Sequence, residues 1–543
     1  MRKFFGKFAK RAAVFAAAAC VLALSLSALA ACDNKTADGG FVIGTTTVIA
    51  SADRSDYNYD QLSAGLTQQA LVSAGADGTY SPLLTEFSTE DSKTWVFTVR
   101  DGMCWDDGVP VTADDILFTL GYADEYDSGN WLSSITDTTG AVTESKLLSA
   151  DVSADGRSIT LVFREADVRA LSDLTSLRIM PEHIYEGKTT ETATPSENRV
   201  GCGVYMFESF SRDAGTITFV PNPYYPADGE LAAERITVRL FGGEDTMYLA
   251  FANGELDMLW RYSGGVDATV AATLAENGNA EIIPVAADNL PAVLAFNNSS
   301  SPFDNLNLRK AVTYALDYDR FRELFASEYS SPSQAGFVPP TTLGYISDTE
   351  VLSRDLEKAR EYLEAGLAET GLASLSFRLA VNSGNATHMR YAELVRTSLQ
   401  DIGVTVTIDA MDVNSFRAAT TNGFSDGNVT HQACIIGYTS NGMKMMGGLG
   451  TIYMDGTHAV QGVSQVFDEE FLSIADALSA AGTPEEYAAA ARECQLWYAE
   501  NLPAVALYYD SQLQVVSRRF TGFVTDADFG LLNAETWLSL ERA

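Results

Sequence analysis

The chain runs to 543 residues with 72 acidic side chains against 36 basic ones, a formal net charge of −36. A negative surplus of that size repels phosphate backbones and anionic headgroups, which argues against nucleic-acid binding and against electrostatic attachment to a membrane. The 46% hydrophobic content is that of a folded protein, and the length implies about three domains.

Arg2, Lys3, Lys7, Lys10 and Arg11 precede an uncharged run that begins at Ala12 and closes on Leu29-Ala30-Ala31-Cys32. A basic start, an apolar stretch and small residues before a cut site form a secretory signal. The cysteine at the cut position resembles the lipobox of bacterial lipoproteins. That resemblance implies cleavage after residue 31, a diacylglycerol on Cys32, and work on the outer face of the cytoplasmic membrane. An uncleaved spanning helix is the alternative, since about twenty residues just cross a bilayer, but a span needs no Ala-Ala-Cys at its end. Removing residues 1–31 takes away five basic and no acidic side chains, leaving 31 against 72 and a net charge of −41. The lipid must then do the anchoring. Residues 32–40 read as a polar tether, reaching at most about 25 Å.

Phe41 to Val48 is a β-branched run and a first strand. In Thr94–Val99 the residues Trp95, Phe97 and Val99 share one face, and Arg100-Asp101-Gly102 makes a turn. Thr112-Ala113-Asp114-Asp115 has the capping pattern in which Thr112 accepts from the amide three residues on, with Ile116, Leu117 and Leu120 continuing the stripe. Turn-rich junctions lie near Thr189–Asn198 and Ala286–Pro291. Leu308, Ala311, Val312, Ala315 and Leu316 fall at helical spacing, as do Tyr391, Leu394, Val395, Leu399 and Ile402. Gly403 ends the second of these helices and Val404–Ile408 alternates as a strand. Tyr487 to Tyr498 is helical and Ala504–Tyr509 is an apolar strand. Interleaved strands and helices predict α/β layers.

Cys104, Cys202, Cys434 and Cys494 show no CxxC spacing and read as small buried apolar residues rather than a metal site. The histidines His183, His388, His431 and His458 lie far apart. There is no HExxH, GxSxG or P-loop, and Gly201-x-Gly203 lacks the third glycine of a dinucleotide site. No catalytic residue, cofactor or metal is nominated. Convergence of distant histidines on a chelate, and a carboxylate pair among so many acidic residues, stay open as alternatives.

The order of several blocks is identified as that of the family 5 extracellular solute-binding proteins of ABC transporters, which include oligopeptide-, dipeptide- and nickel-binding proteins. Thr94–Phe118, TWVFTVRDGMCWDDGVPVTADDILF, looks like the family's longest signature. Gly201–Phe207 with Asn222-Pro223-Tyr224-Tyr225, Phe251–Asp257, Phe296-Asn297 with Pro302-Phe303-Asp304 and Arg309-Lys310-Ala311, and Pro503–Phe523 follow in the family's order.

The resemblance implies an α/β fold of the type II periplasmic-binding-protein-like kind, with hinged lobes around a cleft and an added inserted domain. Residues 41–75, 191–285 and 506–543 would form a discontinuous first domain, 76–190 the insertion, and 286–505 the second lobe. It also implies a monomer that binds peptides or a similar polar solute, hands them to ABC permease subunits, and performs no catalysis. The alternatives are a sugar, opine-like or metal-chelate ligand for the same fold, or a secreted hydrolase.

Peptide-binding members carry a Gly-aromatic-x-x-Asp stretch whose carboxylate pairs with the peptide ammonium; the matching stretch here is Gly437-Tyr438-Thr439-Ser440-Asn441. Asn441 offers no compensating charge, and Ile435 stands where some members place an arginine for the far carboxylate. The expected ligand contacts are therefore Tyr438 by stacking, Thr439 and Asn441 beside it, Gln69 from the first domain, Trp131 from the insertion, and Tyr57 in the loop after the first strand. Met443, Met445, Met446 and Met454 suit loop packing or an adaptable pocket better than a soft-metal site.

Overall fold

The computed structural model describes residues 40–543 apart from 76–78, 127–134, 137–141, 145, 167–169, 228, 262–264, 277, 341, 421–429, 439–462 and 467. Among the described residues no helix is long and apolar enough to cross a membrane. The signal segment and Cys32 lie outside the described residues.

In chain order, β1 (Gly40–Thr45) runs through a loop into α1 (Tyr57–Ser63). Next come β2 (Thr85–Thr89), β3 (Thr94–Val99), α2 (Ala113–Tyr126), β4 (Leu147–Val152) and β5 (Ser158–Phe163). The strands β6 (Tyr205–Ser211), β7 (Thr216–Pro221), β8 (Arg235–Leu240) and β9 (Met258–Leu259) precede α3 (Ala268–Ala275). After β10 (Ala280–Phe296) come α4 (Leu306–Ala315), α5 (Tyr318–Phe325), α6 (Leu356–Thr370), β11 (Ser376–Asn382), α7 (Ala386–Gln400) and β12 (Thr405–Met411). The chain ends through β13 (Ala433–Tyr438), α8 (Pro484–Asn501), β14 (Ala504–Ser517) and a short C-terminal helix.

One ten-stranded sheet has the order β6-β7-β8-β1-β9-β14-β10-β13-β11-β12. A separate four-stranded sheet, β2-β3-β5-β4, carries the residues between β1 and β6. Its alternation is the one the sequence announces: Trp95, Phe97 and Val99 are all buried on one face. Thr112 departs from expectation, because its hydroxyl donates to Asp115 instead of accepting from an amide. The buried Asp115 carboxylate also accepts from Thr112 N at 2.9 Å, Trp105 Nε1 at 3.4 Å and Glu182 N at 3.0 Å. Four donors on one carboxylate offset its desolvation and lock the signature segment to the helix it precedes.

Two groups of cores divide the large sheet. Phe41, Ile43, Tyr205, Ile236 and Trp537 belong to one, with a satellite core under α3 that includes Leu513 and Val515. Leu294, Leu308, Val312, Val395 and Tyr508 belong to the other, flanked by a second cluster around Leu290, Phe471 and Tyr509. Among the described residues, β10 and β14 are the strands that run from one group to the other. Beyond the expected boundary at 505/506, Ala506, Leu507, Tyr508 and Tyr509 pack in the second group.

The stretch 286–291, expected as a turn-rich junction, is the middle of the 17-residue strand β10. The β10–β14 ladder shifts register between Val285 and Asn289, and again on both sides of Ala292. Pro284 and Pro291 donate no ladder hydrogen bond. The crossing is therefore regular at both ends and irregular in the middle, where the two lobes part.

Candidate functional site

The pairing directions aim two strand ends toward the crossing from opposite lobes and opposite sides. β9 is antiparallel to β14 and parallel to β1, so β1 runs toward the second lobe and its carboxyl end stops at the gap. β13 is antiparallel to β10 and runs toward the first lobe. Ile43 pairs with Met258 and that with Val516, which puts Thr45 level with Gln514. Tyr438 pairs with Leu290, level with Tyr509. Along the strand direction the two ends are thus offset by roughly 16 Å at ~3.3 Å per residue, and across the sheet β9, β14 and β10 lie between them, which adds about 19 Å at ~4.8 Å per strand spacing. β11 is parallel to β13, so its carboxyl end and the start of α7 share this edge. In an open α/β sheet, the carboxyl edge at a change of strand order is where ligands sit.

On the first-lobe side a rigid loop follows β1. The Asp56 carboxylate caps α1 by accepting from Asn58 N at 2.9 Å and Tyr59 N at 3.1 Å. It also accepts from Ala50 N at 2.7 Å and Ser51 N at 3.0 Å. Asn58 Nδ2 holds the Val48 carbonyl at 2.7 Å and Arg199 Nε the Ala52 carbonyl at 2.6 Å. Burial pushes the Asp53 carboxyl up, but the hydroxyls of Ser51 and Ser55 and the Ser55 amide outweigh it and hold the group below the usual range. Against this fixed backbone Val48 is 76% exposed and Tyr57 61% exposed.

On the second-lobe side Gly437 is required by contact. A Cβ there would lie 2.8 Å from the Pro291 carbonyl oxygen on the crossing strand, and 3.4 Å from His388 Nε2. Burial pulls the His388 imidazole below its ordinary value, only partly countered by its hydrogen bond with the Pro291 backbone. The ring is 5.8 Å from that of Tyr391, whose hydroxyl meets Tyr508 Oη at 2.6 Å. A neutral imidazole backed by paired phenols thus stands one residue from Tyr438.

The structure brings together part of what the sequence nominates. Tyr438 closes β13 at the gap, and Tyr57 stands exposed at the head of α1. Thr439, Asn441, Trp131 and Cys32 lie outside the described residues. Gln69 is misplaced by the sequence reading. It is 2% exposed, its backbone carbonyl accepts from Ile179 N, and its side chain lines a closed cavity of about 20 Å³ with Arg178, Asp526 and Asn533, away from the strand ends. Ile435 is fully buried in the second-lobe core. An arginine at that position would be buried among apolar groups, so its absence carries no information about a ligand carboxylate.

His388 was passed over as an isolated histidine. Its signal was positional: Asn385, right after a strand, caps α7 by accepting from His388 N at 3.0 Å, which puts the first helical turn on the carboxyl edge.

Nothing described is arranged for covalent chemistry. His183 pairs with Asp107 at 2.9 Å, and buried His431 spans the carbonyls of Ala419 and Val463. Burial pushes the Cys434 and Cys494 thiols up to about 12, leaving no thiolate at neutral pH, and raises Cys202 further. Among the described residues no group of three His, Cys, Asp or Glu side chains could hold a metal ion.

Comparison with known proteins gives this geometry its context. The family model for bacterial extracellular solute-binding proteins, family 5, middle region, matches residues 79–453. The oligopeptide-binding protein OppA of Bacillus subtilis is 27% identical over 377 residues, which cover 66% of this chain and 68% of that one. Among solved structures, a putative peptide binding protein AppA from Clostridium difficile superposes with a TM-score of 0.77 at 19% identity, over 93% of this chain and all of that one. The ABC transporter substrate binding protein CtaP from Listeria monocytogenes gives 0.77 at 18% identity, over 93% and 99%. At such identities the superpositions establish the fold alone.

Proposed function

The chain belongs to the family 5 bacterial extracellular solute-binding proteins, and from that membership we propose that it captures peptides, or a polar organic solute of similar size, between its two lobes and delivers them to an ABC permease. The family consists of binding proteins, not enzymes. The observation that carries the reading is that the carboxyl ends of β1 and β13 point toward each other's lobe from either side of the β10–β14 crossing, offset by roughly 16 Å along the strands.

In this reading Tyr438 stacks on the guest, Thr439 and Asn441 contact it from the same loop, and Tyr57 and Trp131 approach from the first lobe and the insertion. His388, neutral and close to Tyr438, joins the set. The first lobe comprises 41–75, 191–285 and the chain after the crossing, with the insertion at 76–190. Binding energy shared with lobe closure gives the permease a closed form to recognise. Cys32 carries the lipid that keeps the protein, a monomer, on the outer face of the membrane, at a surface too acidic to adhere by charge.

Asn441, in place of the expected carboxylate, favours a second reading, a ligand without a free ammonium such as an opine or a metal chelate. Native mass spectrometry of gently purified protein decides between them. A retained peptide ladder supports the first reading, and a single non-peptide mass the second. A guest recovered as hydrolysis fragments would overturn both.

A further inference from the structure

The crossing pair has an edge that the sheet leaves open. β9 stops at Leu259, Val266 N reaches the Leu513 carbonyl at 2.8 Å, and the next described backbone bonds to this edge of β14, at Tyr509, come from the second lobe. A bare edge of this kind is normally covered. The cover is the segment after α5. Ser331 N donates to the Tyr509 carbonyl at 3.0 Å and Tyr509 N to the Ser331 carbonyl at 3.1 Å, a two-bond antiparallel bridge. Asp510 accepts from Ser327 N at 3.1 Å and Ser327 Oγ at 2.5 Å, and Ser511 Oγ donates to the Tyr329 carbonyl at 3.4 Å. Tyr329 N donates back to Ser327 Oγ at 3.1 Å, which tightens the segment.

This segment comes from the second lobe, since α5 packs through Tyr318 and Phe321 in that lobe's core. Its one large apolar side chain goes elsewhere. Tyr329 packs, half-buried, against the first-lobe cluster formed by residues such as Ala271, Leu274, Leu513 and Val515. The segment therefore has its backbone fixed to β14 at residues 509–511 and its side chain on the other lobe, beside the irregular middle of β10.

We propose that Ser327–Ser331 is a hinge strut, with Tyr329 the foot that sets how far the two lobes open. It adds a tie between lobes that share the strands β10 and β14. Rotation about the Val285–Ala292 stretch would shift the Tyr329 ring against the cluster that includes α3, so the packing of that ring biases the open-to-closed balance and, through it, the apparent affinity for any guest. The inference rests on the two-lobe reading but not on the identity of the ligand.

Hydrogen exchange read by mass spectrometry on the ligand-free full chain tests it. In the unaltered protein, peptides covering 327–331 and 509–512 should exchange at a common slow rate. Tyr329→Ala should speed exchange at 327–331, 509–512 and α3 at least tenfold while leaving β3 unchanged, and Tyr329→Phe should stay within twofold of the unaltered protein. The strut is overturned if 327–331 already exchanges as a free loop in the unaltered protein, a readout that needs no variant to fold. It is equally overturned if Tyr329→Ala leaves these peptides as they were. Failure to capture peptides in the separate native-mass experiment would strike the ligand assignment and leave this result standing.

Discussion

Tyr438 lies opposite Leu290 in the antiparallel ladder, at the level where the strand pair passes from one lobe to the other. The aromatic expected to stack on a guest thus sits at the end of β13, beside the crossing strand β10. Tyr438→Ala should weaken capture of a defined tripeptide mixture about 10- to 100-fold, in line with a loss of about 1.5–3 kcal/mol, and leave the unfolding midpoint nearly unchanged. Unaltered titration curves by calorimetry would take Tyr438 out of the site.

Asn441→Asp restores the carboxylate that peptide-binding relatives are expected to use. Ligands with a free amine should gain on the order of tenfold in affinity, while their N-acetylated counterparts gain nothing. Equal effects on both, in the same titration, would remove residue 441 from the ammonium position.

Asp106 provides a test by pH. Burial raises its carboxyl to about 7, against the hydrogen bond it accepts from Gly201 N at 3.3 Å, with the neighbouring Asp107 charge adding to the rise. A raised carboxyl holds its proton more tightly in the folded state, so the contribution of Asp106 to stability is fully present below about 4 and is lost as pH climbs through about 7. Asp106→Asn keeps an acceptor for Gly201 and removes that dependence. Chemical denaturation at pH 5 and pH 8 should show the variant losing less stability between the two than the parent does.

Phe41 joins the chain's beginning to its end. Its ring centroid is 5.0 Å from that of Phe520 and 5.4 Å from that of Trp537, and it is fully buried. Phe41→Ala should cost about 3–5 kcal/mol in the first lobe. Urea melts followed by tryptophan fluorescence should show an earlier transition, and an unchanged midpoint would falsify this coupling of the termini.

Cys32→Ser should move the protein from the membrane fraction to the medium, and radiolabelled palmitate should no longer be incorporated. Persistence in washed membranes would favour a spanning segment in place of a lipid.

Local patterns were legible wherever burial follows a simple period. Trp95, Phe97 and Val99 alternate as a half-buried strand must, and Leu308, Ala311, Val312 and Ala315 repeat at helical spacing, all four without exposed surface. The order of blocks from Thr94 to Phe523 was enough to indicate the family. The lobe crossing was not legible, because Pro284, Pro291 and the residues between them have the composition of a turn while their backbone continues as strand. Propensity counts local cost, and here the partner strand β14 overrides it.

The division at the site is the same. Gly437 and Tyr438 stood out in the chain as written, but that Gly437 must lack a side chain is decided by the Pro291 carbonyl 2.8 Å from where one would be. Gln69 is expected from the chain to face a ligand, and tertiary packing buries it beside Arg178, Asp526 and Asn533. The sequence by itself determined the family, the charge and the periodic elements, because these depend on residue identity and nearest neighbours. That His388 lies beside Gly437 and Pro291, and that Tyr329 packs against the cluster around Leu513 and Val515, only the tertiary structure decided, because such contacts join residues far apart in the chain and leave no local period to read.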